Sequence, residues 1–276
     1  MLHVSGGVIA SLVILLLICF ILPIAMFYAL YRLAEGNAKH LFVGAAVYFV
    51  GGMILEYFVY RFVGMFTDMN ENIPVYLIYT LVIIPALFIA ANFIGIKFCG
   101  KDILTTGDSL MYCTGYASLQ NMMSVGFISA SYLLTLLDVK TTGNYVIVSD
   151  SEYASYSDMV SATNIVSETK FENLQNLCST PASYFLTMCL DRLWVIAVYS
   201  AALLVLWLAV RKARSWPFIF VSFGMRVLIS VPTIINGLGL ISNKWITLTI
   251  VVLIAVIVWV IAVLCWKKLV DRNNLE

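Results

Sequence analysis

The chain is 276 residues long, 62% apolar or aromatic and 11% charged, with a mean hydropathy of +0.97. A soluble domain averages about 45–50% apolar and about 25% charged residues, so too few polar side chains remain here to clothe a water-facing surface. A formal net charge of +1 leaves no basic footprint for nucleic acid, and six cysteines at positions 19, 99, 113, 178, 189 and 265 lack the paired spacing of a disulfide framework or zinc ribbon. The composition specifies an integral membrane protein.

A membrane-spanning helix needs about 20 mostly apolar residues. Val4–Tyr31 qualifies first; no basic leader precedes it, so it is expected to stay in the mature protein rather than be cleaved as a signal peptide. Leu41–Phe66, Val75–Phe98 and Ser109–Leu137 follow, then Tyr184–Val210, Pro217–Leu240 and Trp245–Trp266. Runs such as Leu12–Leu22 and Ile250–Val263 are apolar all round instead of alternating, which selects helices over a closed β-barrel.

Lysine and arginine set the orientation. Arg32, Lys39, Lys97, Lys101, Arg211, Lys212, Arg214, Lys267, Lys268 and Arg272 fall on one side; Lys140, Lys170 and Lys244 fall on the other. The N-terminus is therefore predicted outside and the C-terminus in the cytoplasm. The loop from Asp138 to Ser183 is then external, with Asp150, Glu152, Asp158, Glu168 and Glu172 outweighing Lys140 and Lys170. Tyr145–Val148 has strand-like composition, and Ser157–Leu177 is expected to form an amphipathic helix. So long a loop is either a solvated connector or a docking surface.

Charged residues inside spans are costly, roughly 2.5–3.5 kcal/mol each at a helix centre, and so mark an interior or a watery cavity. Arg61 sits near a helix end and can snorkel to the headgroups. Glu56, Asp191, Arg192 and Arg226 cannot be dismissed that way. Asp191 and Arg192 are neighbours in sequence and point about 100° apart, so each is expected to find its partner on another helix. Two readings follow: an ion-pair network that fixes helix register, or a substrate site. In the fourth span Thr114, Ser118 and Asn121, with Gly115 and Gln120 alongside, form a small and polar stripe typical of close helix contact. Asn92 and Asn236 are available to join such a network.

Most catalytic chemistry lacks its residues. His3 and His40 are both placed outside the spans, so neither an intramembrane zinc site with His ligands nor a Ser-His dyad is expected. No glycine-rich phosphate loop is present, and no nucleotide is implied. Glu56 and Asp191 remain the weak candidates for a pair of carboxylates activating water.

Several local patterns carry a resemblance. Leu22-Pro23-Ile24, Phe42-Val43-Gly44-Ala45 leading to Leu55-Glu56, and Tyr76-Leu77-Ile78-Tyr79 occur in order. Leu190-Asp191-Arg192, Leu203–Trp207, Ala209-Val210-Arg211-Lys212 and Val231-Pro232 follow. This arrangement resembles the YhfC-type membrane peptidases of bacteria, placed near the glutamic-type intramembrane proteases and the CAAX prenyl endopeptidases. The resemblance implies their fold and membrane habit. Their motifs do not carry over. Phe-Glu-Glu-x-x-Arg reads Phe88-Ile89-Ala90-Ala91-Asn92-Phe93 here, and Gly-His-Gly-Gly-x-Glu reads Gly115-Tyr116-Ala117-Ser118-Leu119-Gln120. The fifth-helix His falls at Tyr199, and a later His-x-x-x-Asp falls at Arg226 and Ser230.

The expectation is therefore an all-α, polytopic bundle of about seven transmembrane helices, one domain over residues 1–276 with an external insertion at 138–183. It should be a catalytically degenerate relative, without cofactor or metal, in a bacterial cytoplasmic membrane. A cavity formed by Tyr116, Gln120, Asn121, Glu56, Asp191, Arg192 and Arg226 should hold a transmembrane or peptide partner, alone or as a subunit of a larger membrane complex. A residual hydrolase using Glu56 and Asp191 is the alternative. A transporter subunit with helices broken around Pro23, Pro85 and Pro232 is the second.

Overall fold

The computed structural model describes residues 4–68, 71–99, 103, 105–142, 146–148, 165–212, 216–241 and 243–273. Seven helices among them are long and apolar enough to cross a membrane: Gly6–Leu33, Ala38–Gly64, Ile73–Phe98, Thr106–Thr141, Ala182–Arg211, Trp216–Gly237 and Trp245–Lys268. The chain is a multi-pass helical membrane protein.

Several helix starts have a local cause. Asn37, Asn72 and Asn243 accept the first free backbone N–H groups of the second, third and seventh spans, from Lys39, Val75 and Trp245. Thr105 and Asp108 form a reciprocal capping box on the fourth. Asp108 also accepts from the Asn37 N–H at 3.0 Å, so one carboxylate ties together the starts of the second and fourth spans. The Asn37 cap begins the second span before Leu41, which places His40 inside it. That corrects the expectation that no histidine lies in a span: His40 is buried, its Nε2 3.6 Å from the Asp108 carboxylate at the helix end.

Several spans contain a turn of wider π-helix. Those at Leu17–Ile21 and Tyr79–Ile83 immediately precede Leu22-Pro23 and Ile84-Pro85. Proline lacks the N–H that would close the regular ladder and its ring crowds the carbonyl one turn back, so the backbone widens just ahead of it. The helices continue through both positions.

The fifth span is the hub. In its most apolar stretch 72% of residues are buried, against at most 33% in any other span. Around it lies a core that includes Phe88, Tyr112, Tyr116, Tyr199, Leu203 and Trp207, and a smaller cluster joins Leu12, Leu15 and Cys19 of the first span to Phe185 and Cys189. The second and fourth spans pack nearly backbone to backbone. A Cβ added at Gly44 would fall on the Tyr112 carbonyl, and one at Gly115 on the Leu41 carbonyl. Close approach through small residues is how helices associate where apolar burial is already supplied by lipid. The outer faces carry exposed Ile24, Phe58, Leu134 and Leu253, which is the surface that meets the bilayer.

The fourth helix extends 36 residues, roughly 54 Å at ~1.5 Å per residue, well past a hydrocarbon layer of roughly 30 Å. Its regular structure continues to Thr142, so the segment expected as loop from Asp138 begins inside a helix. Beyond it, Val146–Val148 pairs in parallel with Ile165–Ser167. Tyr145 and residues 157–164 lie outside the described residues. The amphipathic helix runs from Glu168 to Ser179, and Ile165–Ser167, expected as part of it, is strand instead. Ser167 explains the switch: its side chain accepts from the Lys170 N–H and starts the helix there.

Candidate functional site

Glu56 opens the last helical turns of the second span, directly after a π-helical segment. Gln120 and Ser124 come from the fourth span, Asp191, Arg192 and Tyr199 from the fifth, and Arg226 and Ser230 from the sixth. All of them line one cavity of about 330 Å³, with Thr80 and Ile84 of the third span and Val251 and Ile254 of the seventh completing the wall. Charges scattered over 170 positions of sequence are thus gathered at one place between helices.

Arg226 is the best-anchored member. Its guanidinium lies over the Tyr199 ring at 5.1 Å and the Phe88 ring at 5.7 Å, and its Nη1 donates to Ser230 Oγ at 2.9 Å. Stacking on aromatic faces suits arginine because its guanidinium is planar and weakly hydrated. Its Nε is buried with no hydrogen-bond partner. Behind Tyr199 the aromatic wall continues: Tyr116 stacks on it with ring centres 6.1 Å apart, and Tyr48 and Phe88 meet Tyr116 edge-on.

Asp191 and Arg192 pair with each other, contrary to the expectation that each would reach another helix. The arginine stem is long enough to wrap back along the helix, so an angular offset of about 100° at the backbone does not separate the side-chain ends. Arg192 Nη1 also lies 3.4 Å from Ser124 Oγ, while its Nε is buried without a partner. The Glu56 carboxylate makes neither a hydrogen bond nor an ion pair among the described residues; only its backbone carbonyl is engaged, by the Tyr79 hydroxyl at 3.4 Å. Gln120 Oε1 is likewise buried and unpartnered.

Of the residues singled out from sequence, Glu56, Gln120, Asp191, Arg192 and Arg226 face this cavity. Tyr116 and Asn121 stand behind its wall: Tyr116 in the aromatic stack, and Asn121 fully buried with its Nδ2 3.2 Å from the Arg192 carbonyl oxygen. Ser124, Thr80 and Thr233 were not singled out. Ser124 continues the stripe of Thr114, Ser118 and Asn121 by three positions, a signal that was present; Thr80 and Thr233 stand in apolar surroundings with no pattern to flag them.

A catalytic metal needs about three protein ligands and an open position. Among the described residues no group of three histidines, cysteines or carboxylates comes together. Within the cavity Asp191 is held by Arg192, and a divalent cation at Glu56 would share the space with two guanidinium groups. The donors present do not fit such an ion. Two carboxylates do share one cavity, but of the two, among the described residues, only Asp191 is in a direct ion pair, and Glu56 is not.

Comparison with curated proteins and with solved structures gave no match. Among protein families, one described as the YhfC intramembrane metalloproteases aligns with residues 17–258. That stretch runs from within the first span to within the seventh and takes in every wall of the cavity. On that extent, the chain belongs to the YhfC intramembrane metalloprotease family.

Proposed function

We propose that this chain is a non-hydrolytic member of its family, using the cavity between its spans to hold a peptide or transmembrane partner in a bacterial cytoplasmic membrane. The observation that carries this is a mismatch. The cavity keeps costly charge from the second, fifth and sixth spans, yet the donors there do not fit the metal that the family's description implies. Retained intramembrane charge without a metal ligand set is what a binding site needs and a metalloprotease cannot use. Buried polar atoms without partners at Gln120, Arg192 and Arg226 support the same reading, because such atoms are normally satisfied by something.

A photo-reactive residue placed at Ile229, on the cavity wall, tests this in intact membranes. The expected outcome is a discrete adduct at Ile229 and none at Leu253, which faces outward on the seventh span. Equal labelling at both positions would count against an occupied cavity.

A second reading is favoured by one observation: Glu56 and Asp191 border the same space. If they activate water between them, the purified chain should cleave peptides, and Glu56→Gln should abolish that cleavage. Hydrolysis surviving in Glu56→Gln would exclude the carboxylate pair; hydrolysis lost in it would replace the binding reading.

A further inference from the structure

The cavity that would hold a partner has a charge pattern and a size that narrow what the partner is. Four ionisable groups line it, two carboxylates and two guanidiniums, so the site is formally neutral when all four are charged. Asp191 and Arg192 satisfy each other. That leaves Glu56 and Arg226, opposite in charge and near enough to feel one another, without a direct ion pair among the described residues; Arg226 is held by ring faces and a serine. A net-charged ligand would upset this neutrality in a low-dielectric setting, whereas a ligand with one positive and one negative end completes both open valences. The unpartnered Nε atoms of Arg192 and Arg226 call for acceptor oxygens, as a carboxylate or peptide carbonyl supplies.

Size points the same way. The cavity's 330 Å³ lies at the lower end of small-ligand sites, roughly 300–1,000 Å³. That is the scale of a free amino acid or short extended peptide. Two further cavities adjoin the site's lining residues. A smaller cavity of about 110 Å³ shares Asp191, Pro232, Asn236 and Val251 with the first and reaches Tyr184. Tyr184 in turn borders a groove of about 720 Å³ beside the helix Glu168–Ser179. Lys170, Asn173 and Asn176 of that helix line the groove, giving it a polar approach.

We infer that the ligand of this site is a small zwitterion, a free amino acid or short peptide, whose ammonium end meets Glu56 and whose carboxylate end meets Arg226, and which arrives through the groove beside the helix Glu168–Ser179. The inference rests on the binding reading above and adds the ligand's chemical class to it.

The test uses the full chain purified in mild detergent and an equimolar library of free dipeptides, presented beside the same library acetylated at the amine, amidated at the carboxylate, or blocked at both ends. Retained ligands are counted by native mass spectrometry. Free dipeptides should be retained at least about tenfold better than any blocked set, a margin in line with losing one partner of a buried charge pair. Glu56→Gln should erase the preference for a free amine alone, and Arg226→Lys should preserve the preference for a free carboxylate. Equal retention of free and blocked peptides would overturn the zwitterion and leave a peptide cavity standing. No retained peptide together with a protein adduct at Ile229 would overturn the ligand class and keep the binding reading. Neither peptide nor adduct would overturn both.

Discussion

Tyr112 and Asn92 show what single polar groups do inside this bundle. The Tyr112 hydroxyl donates to Asn92 Oδ1 at 2.7 Å, and Asn92 Nδ2 donates to the Phe88 carbonyl oxygen at 2.8 Å, all of it buried. Tyr112→Phe removes that donor and should lower unfolding free energy by about 1–3 kcal/mol, read as an earlier midpoint in denaturant titration of the micelle-embedded protein. Asn92 was visible in the sequence as a polar intruder in an apolar span, but its partner was not, because a tyrosine in a membrane helix is ordinary. Glu56, Asp191, Arg192 and Arg226 were findable for the opposite reason: nothing in lipid tolerates them cheaply. Their convergence was a fair expectation; the Asp191–Arg192 pairing was not, since side-chain reach cannot be read from backbone angle.

Between helices, the second and fourth spans make the sharpest prediction. Gly115→Ala drives a methyl group into the Leu41 carbonyl, which cannot yield as a flexible side chain would. It should destabilise by about 1–3 kcal/mol. Gly224→Ala provides the contrast: nothing lies within 4 Å of its added Cβ, so it should be neutral or stabilise by up to about 1 kcal/mol. Thermal unfolding in one detergent, measured side by side, separates the two. Asp108→Ala unties the capping box and the Asn37 N–H together and should cost about 1–2 kcal/mol. The spacing of Gly115 among Thr114, Ser118 and Asn121 announced a close contact without naming its partner. The early start of the second span at Ala38 escaped notice because a cap is a local hydrogen bond rather than a hydropathy signal. Near Ser167 the same kind of cap converts an expected helix into strand followed by helix.

At the scale of the molecule, the number and approximate limits of the seven membrane-length helices among the described residues were legible because about 20 apolar residues in a row have few other uses. Orientation rests on the basic residues alone and is directly testable. A cysteine at Glu172, exposed on the loop helix, should react with an impermeant maleimide in intact cells. One at Lys268, exposed at the end of the seventh span, should react only after permeabilisation. The reverse pattern would invert the assigned polarity. A cavity was expected from the intramembrane charges; its volume and full set of walls could not be read from the sequence, since they depend on how six spans tilt and pack.

The burial of the fifth span bears on how the molecule comes into being. Chains emerge from the N-terminus first, so four spans enter the membrane before the helix they are built to surround. Until Ala182–Arg211 arrives, the faces of the first and fourth spans that will grip it have only lipid or one another to meet. A chain ending at residue 142 should therefore be short-lived, cleared by membrane proteolysis within a pulse–chase that leaves the whole chain intact. Supplying residues 165–276 as a separate polypeptide should rescue it. The two pieces would then be obligate halves, and the protein's lifetime in the membrane would be decided by the arrival of its central helix.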